Sequence, residues 1–299
     1  MKKQESVFQT HVLVLALPGQ GHINPILQFS KRLGSEGLEV TLFTASVNKS
    51  MPVQVGPVKL ELVCDELQVD NDILERFKAV VTLRLPQIIA KLGISCLVYD
   101  AHFPWALDIA KKLGLPAAAF FTQSCAVDTI YYNVHEGLVK LPLAESSLSI
   151  DGLPLLQGCD LPSFVYDIGS YPAFLHTCVN QFSNFMEADW VFINTFTSLE
   201  EEVLNWMASQ RPIKAIGPAI PSKYLDKRVE DDEEARKDDK GIITKEEIQR
   251  CIREIMEGDK IKDIKRNAEK WKTLAVEAVN VGGSSDKNIR EFVAKLKCN

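Results

Sequence analysis

Short apolar runs alternate with longer amphipathic segments through the first half of the chain, a pattern that predicts a parallel sheet covered by helices. HVLVLAL (11–17) reads as a buried strand. EVTLFTA (39–45), VKLELV (58–63), CLVYD (96–100) and PAAAFFT (116–122) repeat the pattern, and ADWVFINT (188–195) and IKAIGP (213–218) extend it. After the first strand, Asn24 offers an N-cap and Pro25 a first helical residue, with the helix ending near Gly34 or Gly37. Further helices are expected over about 72–92 and over 103–114, the latter closed by glycine. Ser198 and Glu201 form a capping box for a helix over 199–207. The stretch 141–171, rich in Pro, Ser and Gly, predicts long loops of the kind that line pockets.

The pattern then changes. LDKRVEDDEEARKDDKG (225–241) is almost entirely charged and reads as a solvated linker. Three helical segments follow. Thr244 and Glu247 form a second capping box, with Ile248, Ile252, Ile255 and Met256 on one face. Ile261, Ile264, Ala268, Trp271, Leu274 and Ala278 keep helical spacing. In GGSSDKNIREFVAKLK (282–297) the glycines break the helix, serine caps the next one, and Ile289, Phe292, Val293 and Leu296 line up.

Composition narrows the function classes. The 299 residues suffice for two domains. A net charge of -6 argues against a nucleic-acid-binding face. The seven cysteines are scattered without a C-x-x-C pair, which argues against a disulfide framework or a zinc site and for a reducing compartment. The N-terminus is polar, its first apolar run is too short for a signal peptide, and no run approaches the roughly 20 apolar residues of a membrane span. The expectation is a soluble, cytoplasmic protein.

Candidate chemistry centres on LALPGQGHINP (15–25), where a glycine-rich turn carries His22 beyond the first strand. A dinucleotide fingerprint would need a third glycine where Asn24 stands, and an acidic residue closing the second strand, which ends LFTAS. A catalytic loop fits better. His22 would lie at the carboxyl edge of the sheet and at a helix N-terminus, whose positive end disfavours imidazolium and so keeps a neutral base. Asp100 ends the fourth strand on the same rim, where a carboxylate could fix the imidazole tautomer. No serine or cysteine nucleophile has a supporting motif, so the pair would deprotonate a bound substrate. A structural histidine in a turn and an aspartate capping the following helix are the plain alternatives; spacing alone does not show contact.

LPGQGHINPILQFSKRL, CLVYDAHFPWALDIAKKLGLPAAAFFTQSCAV and AIGPAIPSKYLDKR together resemble the plant family-1 UDP-glycosyltransferases. The tail from EEIQRCIREIMEGD to GGSSDKNIREFV is similar to the C-terminus of the same enzymes, and the likeness is nearest the subgroup acting on small carboxylic acids, phenols and terpenoid alcohols. The resemblance implies an α/β fold of the GT-B type, with two Rossmann-like domains. His22 would be the catalytic base, Asp100 its partner, and Thr122 a contact to the donor sugar. Phe103 and Phe121, with Tyr131 and Tyr132, are candidates for lining an acceptor pocket, although each taken singly reads as a core residue. UDP-glucose would be the co-substrate, without a metal or other cofactor, and a small lipophilic hydroxyl or carboxyl compound the acceptor, glucosylated with inversion. For an acceptor already ionised, such as a carboxylate, the base matters less.

The departure from the family is large. Its UDP-sugar signature comprises a tryptophan on uracil, an HCGWNS-like helix start on phosphate, and an acidic–glutamine pair on glucose. None of these occurs, and Trp105, Trp190, Trp206 and Trp271 lie in other contexts. The expected organisation is an acceptor-binding domain over 1–224, a junction over 225–241 where the missing segment would lie, and a helical remnant over 242–299. A smaller shortening is expected between Val55 and Phe77. The chain alone would then be a weak or inactive transferase. The alternatives are a non-catalytic remnant that binds small molecules and the non-functional product of a shortened transcript or gene model. Helices that have lost their covering sheet would expose apolar surface and favour self-association.

Overall fold

The computed structural model describes residues 10–45, 54–63, 73–144, 146–229 and 261–298. The capping box at Thr244 and Glu247, its apolar face and the charged run after Val229 lie outside the described residues.

Strands β1 (His11–Leu15), β2 (Glu39–Ala45), β3 (Gln54–Val55), β4 (Val58–Val63), β5 (Cys96–Asp100), β6 (Ala117–Phe121), β9 (Trp190–Ile193) and β10 (Lys214–Ala215) form one sheet in the order β10-β9-β6-β5-β1-β2-β4-β3. All neighbouring pairs are parallel except β3 with β4. A hairpin of β7 (Ser147–Leu148) and β8 (Leu156–Gln157) stands apart. Val12 to Leu15, Leu97 to Tyr99 and Ala117 to Phe121 run without a charged residue because both faces of the sheet are covered, as parallel sheets require. Leu13, Leu15, Leu97, Tyr99, Ala119 and Phe121 enter one core cluster, whereas Val12, Val14, Val98, Ala118 and Phe120 enter the other, following the two-residue period of a strand.

The helices are α1 (Gln20–Ser35), α2 (Ile73–Leu92), α3 (Pro104–Lys112), α4 (Cys125–His135), α5 (Ser163–Tyr166), α6 (Pro172–Asn180), α7 (Glu201–Gln210), α8 (Ile261–Val279) and α9 (Ser284–Cys298). Two boundaries differ from the sequence expectation. Helix α1 starts at Gln20 with Gly19 as N-cap, so Asn24 is not the cap and Pro25 lies inside the helix. Helix α7 starts at Glu201, and no capping box with Ser198 forms. The neighbouring Glu200 caps another helix instead, its carboxylate accepting from the backbone N–H of Cys125 at 3.0 Å and of Ala126 at 2.9 Å. Amides in the first turn of a helix have no partner within it, and a carboxylate there also meets the positive helix end.

The last helix is part of the same body as the sheet. Its stripe of Ile289, Phe292, Val293 and Leu296 is buried as the sequence pattern predicts. Phe292 sits 5.0 Å, centroid to centroid, from both Trp190 and Phe192, edge to face. Ser285 Oγ donates to the carbonyl of Gly217 at 2.6 Å, and Asn288 to that of Ala215 at 2.7 Å. Gly283 makes the turn from α8 possible, because a Cβ there would collide with the carbonyls of Glu277 and Ala278. Helix α8 differs: of its expected apolar stripe only Ala278 is buried, while Ile264 and Trp271 are 43% and 39% exposed.

The chain around 226–229, expected as the start of a solvated linker, is pinned to the body. Asp226 accepts from Arg32 at 2.9 and 3.1 Å, and Arg228 reaches Asp226, Asp286 and the carbonyl of Val279. Truncating Phe292 to alanine removes the central ring of the α9 contact and is expected to cost about 3–5 kcal/mol. Urea denaturation of the F292A variant checks this; an unchanged midpoint would mean that α9 does not hold the fold.

Candidate active site

The strand order places a switch point between β1 and β5: the chain leaves β1 toward β2 on one side, and β5 returns on the other. Open α/β sheets form their crevice at the carboxyl ends of such a pair. In register Leu15 faces Tyr99, which brings the residues after β1 against Asp100 at the end of β5. The chain turns at Pro18 and Gly19 and enters α1, so His22 lies in that helix's first turn and points back to the sheet edge.

His22 Nδ1 lies 2.8 Å from Asp100 Oδ2. The two residues proposed from sequence as partners are therefore in contact. Asp100 is fully buried and accepts further bonds at both oxygens: the Leu17 N–H reaches Oδ2 at 3.3 Å, and the His102 N–H and Nδ1 reach Oδ1 at 3.1 and 3.0 Å. Burial alone would raise the Asp100 pKa. The His22 charge and the hydrogen bonds from His102 and His22 outweigh it and hold the carboxyl well below the usual carboxylate range.

For His22, burial disfavours the imidazolium, but the charge of Asp100 and the hydrogen bond to it prevail, and its pKa is raised above the ordinary histidine value. The expectation that a helix N-terminus would set this group is corrected: a buried carboxylate at hydrogen-bond distance outweighs partial charges at a helix end. With Nδ1–H given to Asp100, the lone pair of the neutral ring resides on Nε2. The side chain is 21% exposed, so part of the ring reaches solvent.

Thr122 follows β6 and brings Oγ1 to 3.2 Å from His22 Nδ1, so the third predicted residue joins the same rim. Phe103 and Phe121 do not line an opening. They are 3% and 2% exposed, Phe103 packing on Phe77 and Trp105, and Phe121 on Phe182 and Phe185. Tyr131 and Tyr132 are buried likewise.

His102 was not anticipated. It is 7% exposed, lies edge to face with His22 at 4.7 Å, and places Nε2 3.6 Å from Cys178 Sγ on α6. The sequence signal was the spacing D-A-H at a strand end, which lets residue i+2 fold back onto the carboxylate of residue i. His22, Asp100 and His102 lie close enough together for a cation, within 4.8 Å. The donor set argues for hydrogen bonding instead, because both Asp100 oxygens already accept two bonds each.

No described helix is long and apolar enough to cross a membrane. Cys96, Cys125, Cys159, Cys178 and Cys298 are free thiols.

No family model matches the chain. Individual proteins do. Mogroside I-E synthase of Siraitia grosvenorii is 30% identical over 447 aligned positions, which cover 96% of this chain and 98% of that protein. UDP-glycosyltransferase 74E1 of Arabidopsis thaliana is 41% identical over 241 positions, covering 75% of this chain but 53% of the relative, so on that alignment the chain spans about half of the relative's length. Among solved structures, Os79 from O. sativa in complex with UDP superposes with a TM-score of 0.79 at 25% identity, covering 95% of this chain and 100% of that one. The alignment to the synthase exceeds the whole chain by roughly 150 positions, about the size of one α/β domain. The sheet with its switch point, the histidine and aspartate meeting there, and these relatives agree: the chain belongs to the plant UDP-glycosyltransferase family.

Proposed function

We propose that His22 and Asp100 form the acid–base pair for glucosyl transfer from UDP-glucose to a small lipophilic acceptor. The 2.8 Å contact between His22 Nδ1 and Asp100 Oδ2 carries this reading. It fixes the tautomer, leaves Nε2 as the base, and supplies a buried negative charge to stabilise the imidazolium once formed. In the step itself, the acceptor hydroxyl gives its proton to Nε2. Its oxygen forms a bond to the anomeric carbon as the bond from that carbon to the UDP oxygen breaks, which inverts the centre. Thr122, at the same rim, would orient the sugar.

The residues that would hold uracil and pyrophosphate are absent from the sequence, and the shortfall against the full-length relative matches one domain. The junction at 225–241 is where that segment would have been lost. Activity of the isolated chain would therefore be weak. Whatever transfer remains should fall about 10²–10⁴-fold in the H22A variant. Chromatographic detection of the glucoside formed from UDP-glucose and a phenolic acceptor measures this, and turnover unchanged by the substitution would overturn the assignment of the base. The same shortfall favours a second reading, in which the chain binds an acceptor without transferring to it.

A further inference from the structure

Asp100 serves two imidazoles. Its Oδ2 faces His22, and its Oδ1 is held by both the backbone N–H and the Nδ1 of His102. The ring of His102 also abuts that of His22 edge to face at 4.7 Å, and its far nitrogen is braced by Cys178. A carboxylate engaged by one imidazole could rotate about its own axis or exchange oxygens; engaged by one ring at Oδ2 and by the other at Oδ1, it presents a single oxygen to each.

We propose that His102 is a positioning residue for the pair: its Nδ1–H occupies Oδ1 of Asp100, so that the carboxylate presents Oδ2 to His22 and shares its negative charge between two rings. The inference rests on the reading of His22 and Asp100 as the working pair. It deepens that reading by assigning a device that limits how strongly Asp100 charges His22. A carboxylate whose second oxygen accepts a strong donor attracts an imidazolium less than one whose second oxygen is free.

Other ionisable groups around the three are few and buried. Cys178 of α6 faces His102, and burial pushes its thiol up to about 11. Asp128 of α4 lies behind Cys178 within a buried polar cluster that includes Gln181, and burial beside Glu200 pushes its carboxyl well above its ordinary value. Tyr131 of the same helix is raised by burial as well. Across the pH range in which imidazoles titrate, Cys178 and Tyr131 stay uncharged, and burial disfavours charge on Asp128. The nearest ionised partner that His102 and His22 share is Asp100.

The test is proton–nitrogen correlation NMR of the imidazole side chains, read as a function of pH on the full chain. In the unaltered protein His102 should show a protonated Nδ1; a neutral His102 carrying its proton on Nε2 cannot donate to Asp100 and overturns the proposal without any substitution. In H102F, which keeps a ring against His22 but has no donor, the His22 titration midpoint should move up by about half a pH unit. In H102N the amide nitrogen takes the place of Nδ1 and should return the midpoint toward that of the unaltered chain. Equal shifts in both variants, or none in H102F, would mean that His102 only fills space. A D100N variant separates this from the underlying reading. If His22 titrates as before without the carboxylate, the pair itself fails; if His22 falls in D100N yet ignores H102F, only the role of His102 fails.

Discussion

Replacement of Asp100 by alanine should cost about 3–5 kcal/mol of stability, the largest effect of any single polar substitution considered for this chain. The side chain is wholly buried, and its loss leaves four N–H donors without their acceptor, those of Leu17 and His102 in the backbone and of His22 and His102 in the rings. Each unsatisfied buried donor costs about 1–3 kcal/mol, reduced where water can enter beside the partly open His22. The effect should depend on pH. Asp100 is depressed in the folded chain, so its contribution is present above the unfolded carboxyl value of about 4 and fades as pH falls toward the folded one. His22 is raised, so its contribution is present below the unfolded imidazole value of about 6.5 and is lost as pH rises through the folded one. Both operate fully between those limits. The gap in unfolding free energy between the unaltered chain and D100A should be widest there and narrow above neutrality. Denaturant titrations at a series of pH values would show it, and a gap that stays flat from pH 4 to 8 would mean the two groups are not coupled.

A calorimetric titration with UDP-glucose is expected to show no saturable binding at millimolar concentration. The rim retains His22 and Asp100, the proposed base and its partner, and Thr122, but one hydroxyl cannot replace the helix N-termini and aromatic platform that would hold a nucleotide diphosphate. Without a held donor the reaction also loses the advantage of juxtaposition, worth up to about 7–11 kcal/mol of barrier in well-oriented systems. Transfer by the isolated chain should therefore fall many orders of magnitude below that of a two-domain relative. Saturable binding in the micromolar range would show instead that the remaining segments, or two copies of the chain, rebuild a donor site.

The sheet was legible because its strands carry their own evidence. VLVL, LVY and AAAFF are apolar at consecutive positions, which only a strand buried on both faces requires, and the strands lie where these runs predict. His22 and Asp100 were legible because each follows or ends such a run, so the parallel topology alone brings them to one edge. The helix starts were misread where local chemistry was ambiguous. Asn24-Pro25 has the form of a cap, yet Gly19 already serves, and α1 absorbs the proline. Ser198 has the form of a capping box, but Glu200 is drawn to another helix 75 residues away, a contact no local pattern encodes. His102 was missed for a related reason: its role comes from folding back onto a residue only two positions earlier, in a loop. Of the aromatic candidates, Phe121 ends β6 and follows the strand period into the core, and Phe103 just beyond β5 is buried as well, so both take the core alternative rather than the pocket one.

The pinning of residues 226–229 to α1, α8 and α9 bears on how a chain of this family tolerates gain or loss of sequence. Arg32, Asp226, Arg228 and Asp286 tie the exit from the sheet to the return of the last helix, so both ends of whatever lies between are fastened to the same face. The entropic cost of closing a loop between fixed anchors grows only with the logarithm of its length, so a stretch of a few tens of residues and one of a couple of hundred differ by roughly 1–2 kcal/mol. The first sheet, clasped by its own C-terminal helix, is in effect a closed ring with a socket. By closure entropy alone, a short segment or one the size of a domain could join the same anchors while the ring stays shut.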